Sequence, residues 1–260
     1  MSLTYSTYLK LDELLGLQTV QSDPPEHDET LFIIIHQVYE LWFKQLLHEI
    51  DKAGRDLAGN HLFGAIATFK RMRMIMKTMV AQLDILETMS PMSFLAFRDR
   101  LEAASGFQSP QFRAFEFVLG LKRAEMIEVH AGNEAAVALL EKRILEPSLV
   151  DYFSHFLKHQ GVELPADVTD KPVDQATAAS PELQEHILNL YRSRPEIAIL
   201  LELMTDFDEG LQEWRYRHVK MVERTIGDKP GTGGSPGVAF LRKSLFQPIF
   251  PDLWAIRNQL

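Results

Sequence analysis

Cysteine is absent from this chain of 260 residues. Its absence excludes disulfide bonds, thiol catalysis and every metal or cofactor ligand that depends on a thiolate. Histidine, carboxylate and tyrosine side chains are the metal ligands that remain. A chain without cysteine fits a reducing compartment, so we expect a cytoplasmic protein.

Positive charge and long apolar runs are also scarce. The sequence has 27 Lys and Arg against 36 Asp and Glu, a formal net charge of -9. Nucleic-acid binding depends on clustered basic residues, so small molecules or proteins are the expected partners. No apolar run approaches the roughly 20 residues that a membrane span needs, and "MSLTYSTYLKLDELL" lacks the pattern of a signal peptide. We therefore predict a soluble protein.

Strand-like alternation is almost missing, whereas apolar residues recur at spacings of three and four, which is the helical period. We predict one all-α domain over residues 1–260. A first long helix is expected over residues 28–57, capped by Asp28, and a second over residues 61–88. The last long helix is expected from about Pro195 to Gly227.

Three Ser-Pro dipeptides, at Ser90, Ser109 and Ser180, predict further helix starts. Serine can accept a hydrogen bond from a free helix N–H, and proline lacks the donor that would be unpaired at the first helical position. Residues 161–181 are rich in Pro, Asp and small side chains, which is typical of a surface loop. We do not interpret this loop as a domain boundary.

The segment 227–237 contains five glycines and two prolines directly after the last long helix. Glycine lets a backbone approach a ligand closely, so a phosphate-binding loop is the first hypothesis. The spacing rejects it, because no Lys follows Gly233 or Gly234 and Pro236 breaks the dinucleotide pattern. We expect a loop that closes over something else.

Two histidines occupy positions where apolar residues are expected. His218 continues the inward stripe of Phe207, Leu211 and Trp214, and His36 has the equivalent place on the first long helix. Each is compatible with a neutral, hydrogen-bonded core histidine. The alternative is a pair that faces one cavity from two helices, as bundles use to hold a metal or a prosthetic group.

Arg98 is a third polar residue at a position where an apolar one is expected. Phe94, Arg98 and Leu101 follow the helical spacing, which places the guanidinium in line with two apolar residues. One interpretation is an ion pair with a protein acid or a side chain that extends to solvent. The other is a bidentate clamp for a ligand carboxylate.

Four blocks of the sequence, in order, resemble the tryptophan 2,3-dioxygenase family. They are "YSTYLKLDELL", "HDETLFIIIHQVYELWFKQ", "FRDRLEAASGFQSPQFR" and "WRYRHVKMVERTIGDKPGTGGSPG". The resemblance covers nearly the whole chain. It implies long bundle helices that enclose a b-type haem pocket, with the segment 227–237 as a lid over tryptophan.

The resemblance also implies roles for single residues. His218 falls on the proximal haem ligand, and His36 on the distal histidine that hydrogen-bonds the indole N–H and is the catalytic residue expected here. Arg98 falls on the carboxylate clamp, and Thr232 on the loop threonine that contacts the amino acid part of the substrate. Further pocket positions, the last two also on the haem side, are Phe32, Phe94, Leu101, Ser105 and Gly106.

Assembly is implied as well. Tyr5, Tyr8 and Leu9 match a segment that reaches into a neighbouring subunit's site, so we expect residues 1–15 to dock on a neighbour in a homotetramer, a dimer of dimers. Two positions depart from the family pattern. Pro236 stands where relatives usually have Ser, and Ile35 where they often have a polar residue.

The implied reaction uses ferrous haem b and O2 as co-substrate. Both oxygen atoms are expected to enter across the indole C2–C3 bond of L-tryptophan and give N-formyl-L-kynurenine, the first step of tryptophan catabolism by the kynurenine route. Two alternatives stay open from the residues: a related haem indole monooxygenase, and a haem or tryptophan sensor without turnover.

Overall fold

The computed structural model describes residues 2–234 and 237–260, and this part of the chain contains helices and no strand. The all-α prediction is therefore confirmed. The α-helices are α1 Tyr5–Leu9, α2 Leu11–Leu14, α3 His27–Ala58, α4 Leu62–Leu86, α5 Pro91–Arg98, α6 Pro110–Val118, α7 Glu134–Ile144, α8 Leu149–His159, α9 Ala166–Thr169, α10 Pro181–Ser193, α11 Pro195–Ile226, α12 Val238–Arg242 and α13 Pro251–Ala255. Short 3-10 turns lie at Asp99–Leu101, Gly106–Gln108, Ala124–Met126, Glu128–His130 and Ile256–Gln259.

The frame consists of the three long helices α3, α4 and α11, with α4 packed against both of the others. Leu46 of α3, Phe69 and Met72 of α4 and Phe207 of α11 have no exposed surface. Phe69 and Phe207 meet edge to face, with ring centroids 6.2 Å apart. This apolar seam fixes α3 and α11 relative to each other, because close-packed side chains leave little room for sliding.

Two of the Ser-Pro starts act as predicted. Ser90 and Ser109 accept hydrogen bonds from the backbone N–H groups of Ser93 and Phe112, each at 3.0 Å. Helix α10 also begins at Pro181, but Ser180 makes no side-chain cap. Its hydroxyl is oriented toward Asp167 instead, at 3.4 Å, so that part of the prediction was wrong.

The predicted cap at Asp28 was also wrong. Helix α3 begins at His27, which places Asp28 inside the first turn. The neighbouring Glu29 is the buried acid, and it accepts hydrogen bonds from the backbone N–H groups of Gln21 and Ser22 at 2.7 and 3.0 Å. The segment before α3 therefore folds back on the helix through Glu29.

The remaining boundaries concern the last helix and the periphery. Helix α11 ends at Ile226, and the backbone N–H of Gly227 caps it by donating to the Glu223 carbonyl, as the sequence predicted. Residues 161–180 contain only the short helix α9, and Pro181, the last residue of the predicted loop, begins α10. No helix in the described ranges is both long and apolar enough to cross a membrane.

Candidate active site

One cavity opens between α3, α5 and α11, under the segment that follows α11. The nine predicted site residues of the helices and the loop all line it: Phe32, His36, Phe94, Arg98, Leu101, Ser105, Gly106, His218 and Thr232. Tyr5, Tyr8 and Leu9 lie elsewhere in the chain's own fold and are 75%, 70% and 40% exposed. These three residues can therefore contribute only to the site of another subunit.

His36 presents one ring nitrogen to the cavity as an acceptor. Its Nδ1 lies 2.7 Å from the Phe32 carbonyl oxygen, one turn back along α3. A carbonyl only accepts, so Nδ1 carries the proton and Nε2 keeps a free lone pair. Burial lowers the pKa of His36, although the hydrogen bond to Phe32 and the charge of Glu40 oppose this shift. The ring is therefore a neutral hydrogen-bond acceptor.

His218 lies on α11 in the same cavity. Burial and, to a smaller extent, the nearby His36 lower the pKa of His218 to about 4. The Trp214 indole, one turn earlier, stacks on the imidazole with ring centroids 5.3 Å apart and planes inclined by 3°. The neutral imidazole is the form that ligates a metal, and the stacked indole holds its ring in one orientation.

The cavity fits a flat iron-bearing prosthetic group by its donor set. Within the described ranges no three His, Asp or Glu side chains converge to hold a bare ion. His218 offers one neutral nitrogen, while Leu83, Leu86 and Val222 supply apolar surface around it. A tetrapyrrole brings four ligands of its own and needs one imidazole and apolar walls, which these residues provide.

Aromatic rings form the wall beside His36. The centroid of the Phe32 ring lies 4.1 Å from that of His36 and 5.6 Å from that of Phe94. Phe97, fully buried behind them, meets Phe94 edge to face at 5.4 Å. Such a wall suits a planar aromatic ligand whose polar edge is directed at His36.

Arg98 is half-buried, and the α-helix ends there and is followed directly by the 3-10 turn Asp99–Leu101. Its Nη2 donates to the Pro230 carbonyl at 2.8 Å. No carboxylate of the described residues forms an ion pair with it, unlike Arg217, which pairs with Asp84. The interpretation of Arg98 as the partner of a protein acid therefore has no support among the described residues, and the guanidinium is available to a ligand anion.

The segment after α11 closes over this arginine. Thr232 Oγ1 donates to the Ala104 carbonyl at 2.5 Å. A Cβ atom added to Gly233 would lie 2.5 Å from Ser105 Cβ, so only glycine permits this approach. Pro236, whose effect on the loop the sequence raised, lies outside the described residues. The described part of the loop thus contacts the cavity wall through Pro230, Thr232 and Gly233.

Sequence reasoning missed a second charged group on the cavity wall, which we call the arginine cluster: Arg113, Arg123 and Arg215 around Glu116. All four residues line the cavity. Arg113, Glu116 and Arg215 are each 3% exposed. The available signal was the presence of Arg113 and Glu116 in the otherwise apolar stretch "FRAFEFV".

Two neutral imidazoles and an arginine around one apolar cavity define the class of helical proteins that hold a flat prosthetic group between long helices. Comparison with known proteins identifies the group within that class. The family model described as tryptophan 2,3-dioxygenase matches residues 1–164 and 181–260. The residues it leaves out, 165–180, fall inside the segment that the sequence marked as a surface loop.

Individual relatives are similar in sequence to this chain over nearly their full lengths. The tryptophan 2,3-dioxygenase of Herpetosiphon aurantiacus is 53% identical over 259 residues, covering 100% of this chain and 99% of the relative. Those of Anaeromyxobacter dehalogenans and Caulobacter vibrioides are 50% and 41% identical, covering 97% and 98% of those proteins. The chain belongs to the tryptophan 2,3-dioxygenase family. It is a haem-dependent, oxygen-incorporating oxidoreductase that acts on tryptophan, and no finding favours the monooxygenase or the sensor.

Proposed function

We propose that this chain opens the indole ring of L-tryptophan with both atoms of O2 and releases N-formyl-L-kynurenine, using haem b held by His218. One observation carries the residue assignment: His36, Arg98 and His218, which have different chemistry, line one cavity under the glycine-rich segment. The haem, when bound, supplies the activation of O2. The protein supplies binding, orientation and the exclusion of water.

His218 would be the axial ligand. Its pKa of about 4 keeps the imidazole unprotonated at neutral pH, so iron does not compete with a proton for the nitrogen. The parallel Trp214 ring limits rotation of the imidazole about its side-chain bonds. His218 would be the only protein ligand to the prosthetic group, which would supply the binding of the co-substrate.

The substrate would be held at both ends. The Arg98 guanidinium would donate two hydrogen bonds to the carboxylate, and Thr232 would help to hold the amino acid part. At the other end, the indole N–H would donate to Nε2 of His36, whose Nδ1 proton is fixed by the Phe32 carbonyl. Phe32 and Phe94 would wall the ring, so C2 and C3 keep one orientation. His36 would thus accept a hydrogen bond from the indole N–H and orient the ring.

The test is a turnover experiment with isotopically labelled oxygen. Ferrous, haem-loaded protein is mixed with L-tryptophan and 18O2, and the product is identified by mass. Two labelled oxygen atoms in one N-formylkynurenine molecule are expected. A product with one added atom would mean a monooxygenase, and unchanged tryptophan would mean a binding protein.

We further propose that the active form is a homotetramer in the cytoplasm. The short helices α1 and α2 follow Leu3, and the side chains of Leu3, Tyr5 and Tyr8 are 70% or more exposed. Terminal segments of this kind stay ordered when they dock on another surface. Light scattering should give four subunits, and removal of residues 1–15 should raise KM for tryptophan. A fully active monomer would contradict the proposal.

A further inference from the structure

The segment that joins residues 2–15, which we call the arm, to the first long helix runs back along α3. The backbone N–H of Ser22 donates to Glu29 near the start of α3 at 3.0 Å, and Gln18 Nε2 donates to Gln37 Oε1 further along the helix at 2.7 Å. Four residues of extended chain span about 13 Å, close to the rise of about 12 Å over eight helical residues. The segment is therefore stretched between its two attachments and has little slack.

The attachment at Gln37 uses both ends of an amide. Its Oε1 accepts from Gln18, and its Nε2 donates to the Leu17 carbonyl at 3.2 Å. Gln18 Nε2 also donates to the Leu14 carbonyl at 3.0 Å, which ties the end of α2 to the same point. An amide can accept at one atom and donate at the other, so one orientation of Gln37 satisfies both contacts. We call Leu17, Gln18 and Gln37 the arm root.

The arm beyond this root has no buried anchor in its own subunit. The short helices α1 and α2 contain no buried residue, and the side chains of Tyr5, Tyr8 and Leu15 are 70% or more exposed. The direction in which the arm leaves the subunit is therefore set at the root. A segment held at a fixed exit loses less conformational freedom when it docks than one that swings freely.

Gln37 follows His36 directly, but the two side chains face different regions. His36 lines the cavity, whereas Gln37, Gln18 and Leu17 do not. Successive residues of an α-helix are turned by about 100°, which directs Gln37 away from the cavity and toward the returning segment. The amide therefore has no direct contact with a ligand in its own subunit.

We propose that Gln37, with Gln18, is a positioning residue that acts on the neighbouring subunit, because it fixes the exit of the arm that docks there. This inference rests on the proposed function and on the proposed homotetramer. Each α3 helix then serves two sites. It presents His36 to its own cavity, and through Gln37 it positions the arm for the neighbour's cavity.

The first test removes one donor from the root without changing its size. In Gln37→Glu the carboxylate still accepts from Gln18 but cannot donate to the Leu17 carbonyl. KM for tryptophan should rise roughly two- to tenfold, the range of one lost hydrogen bond, while kcat stays unchanged. Gln18→Leu should raise KM in the same way, and the double variant should add little to either single change.

A matched control is available at another amide pair. Gln160 Nε2 donates to Asn60 Oδ1 at 2.6 Å, outside both the arm root and the cavity. Gln160→Glu also exchanges an amide for a carboxylate and should leave both KM and kcat at their wild-type values.

The decisive test asks which subunit feels the change. Tagged Gln37→Glu subunits are co-expressed with an excess of untagged His36→Ala subunits, loaded with haem and purified by the tag. Only the tagged subunits should turn over, and their neighbours have an intact root, so KM should return to the wild-type value. In the reverse hybrid, tagged wild-type subunits among His36→Ala/Gln37→Glu subunits should show the raised KM. His218→Ala subunits serve as a second inactive partner.

The outcomes separate this inference from the function on which it rests. A KM that stays raised in the first hybrid and normal in the second would mean that Gln37 acts on its own cavity through His36, which overturns the proposal. An unchanged KM in both Gln37→Glu and Gln18→Leu, with a raised KM after removal of residues 1–15, would overturn the root and leave the docked arm intact. If wild type is a monomer or does not turn over tryptophan, the proposed assembly or function is wrong and the inference fails with it.

Discussion

Trp214 and His218 lie one turn apart on α11, and their ring planes are inclined by only 3°. The contact continues into the core, because Trp214 also meets Phe43 and Tyr39 edge to face, each at a centroid distance of 6.1 Å. Aromatic contacts therefore connect the imidazole to α3, the helix that carries His36. The orientation of the proposed axial ligand depends on packing as well as on its own helix.

We expect Trp214→Leu to release haem roughly two- to tenfold faster than wild type, the range that one aromatic pair contributes to binding. Trp214→Phe keeps a ring in the position and should lie between the two. Stopped-flow transfer of haem to a scavenger gives the rates. Trp42→Leu is the control, since Trp42 packs on the core outside the cavity. An unchanged rate in Trp214→Leu would mean that the stacking does not hold the ligand.

The two histidines should separate by haem retention. His218→Ala removes the only proposed protein ligand and should lose tight haem binding, whereas His36→Ala should keep the Soret band and lose turnover. Added imidazole should restore the haem spectrum of His218→Ala, because it can enter the space left by the ring. Retention in the first variant together with loss in the second would reverse the assignment of proximal and distal sides.

Acid should destabilise the haem-free protein through His218. Its pKa is about 4 when folded, against an ordinary value near 6.5, so the unfolded chain gains a proton first as pH falls. The stability that the neutral ring allows is fully present above pH 6.5 and is lost as pH falls from there toward 4, by at most about 1.4 kcal/mol per pH unit. Urea unfolding at several pH values should show a flatter profile for His218→Phe than for wild type. His155→Phe, on the exposed face of α8, is the matched histidine control.

Arg98 should set the preference for an amino acid over a bare indole. Loss of a bidentate charged bond is worth roughly 1.5 to 3 kcal/mol, so Arg98→Ala should lower kcat/KM for L-tryptophan by about ten- to a hundredfold or more. Tryptamine, which lacks the carboxylate, should be much less affected. Arg98→Lys keeps the charge without the fork and should recover only part of the activity. Equal damage to both substrates would make Arg98 a structural residue.

The lid should depend on the space between Gly233 and Ser105. In Gly233→Ala the new methyl group would lie 2.5 Å from Ser105 Cβ, so we expect the loop to move outward and KM for tryptophan to rise. Ser105→Gly in the same chain removes that Cβ and should lower KM again. Gly132→Ala, with no atom within 4 Å of the added Cβ, is the control. If the double variant is no better than Gly233→Ala, the loop is not limited by this contact.

Features set by neighbours in sequence could be predicted, and features set by distant segments could not. Ser90 and Ser109 cap their own helices, so the Ser-Pro signal was sufficient. Asp28 failed as a cap because the residues before α3 return to Glu29, which local spacing does not reveal. The order of the long helices and the inward face of His36 and His218 followed from periodicity alone.

In the site, too, contacts within one helix could be predicted and contacts between distant segments could not. The periodic stripe brought Phe94, Arg98 and Leu101 to one side, although the helix ends at Arg98. Arg113 and Glu116, three residues apart in an otherwise apolar stretch, were not recognised from the sequence as part of a site. Their burial depends on α11, which brings Arg215 against them from about 100 residues away in the chain. Periodicity within one helix contains no information on that contact.

The base of the loop at residues 229–237 has a consequence for how this part of the protein can change. A Cβ added to Gly237, where φ is 66°, would lie 2.7 Å from the Lys229 carbonyl oxygen, so the two ends of the loop touch. The chain enters and leaves through this narrow neck and then starts α12 at Val238. Since Gly237 approaches a main-chain carbonyl, this contact joins the residues just after α11 to the start of α12, whatever side chains lie between them. The start of α12 is in this sense anchored by the backbone alone, so a substitution at Gly237 would act on both ends of the loop together.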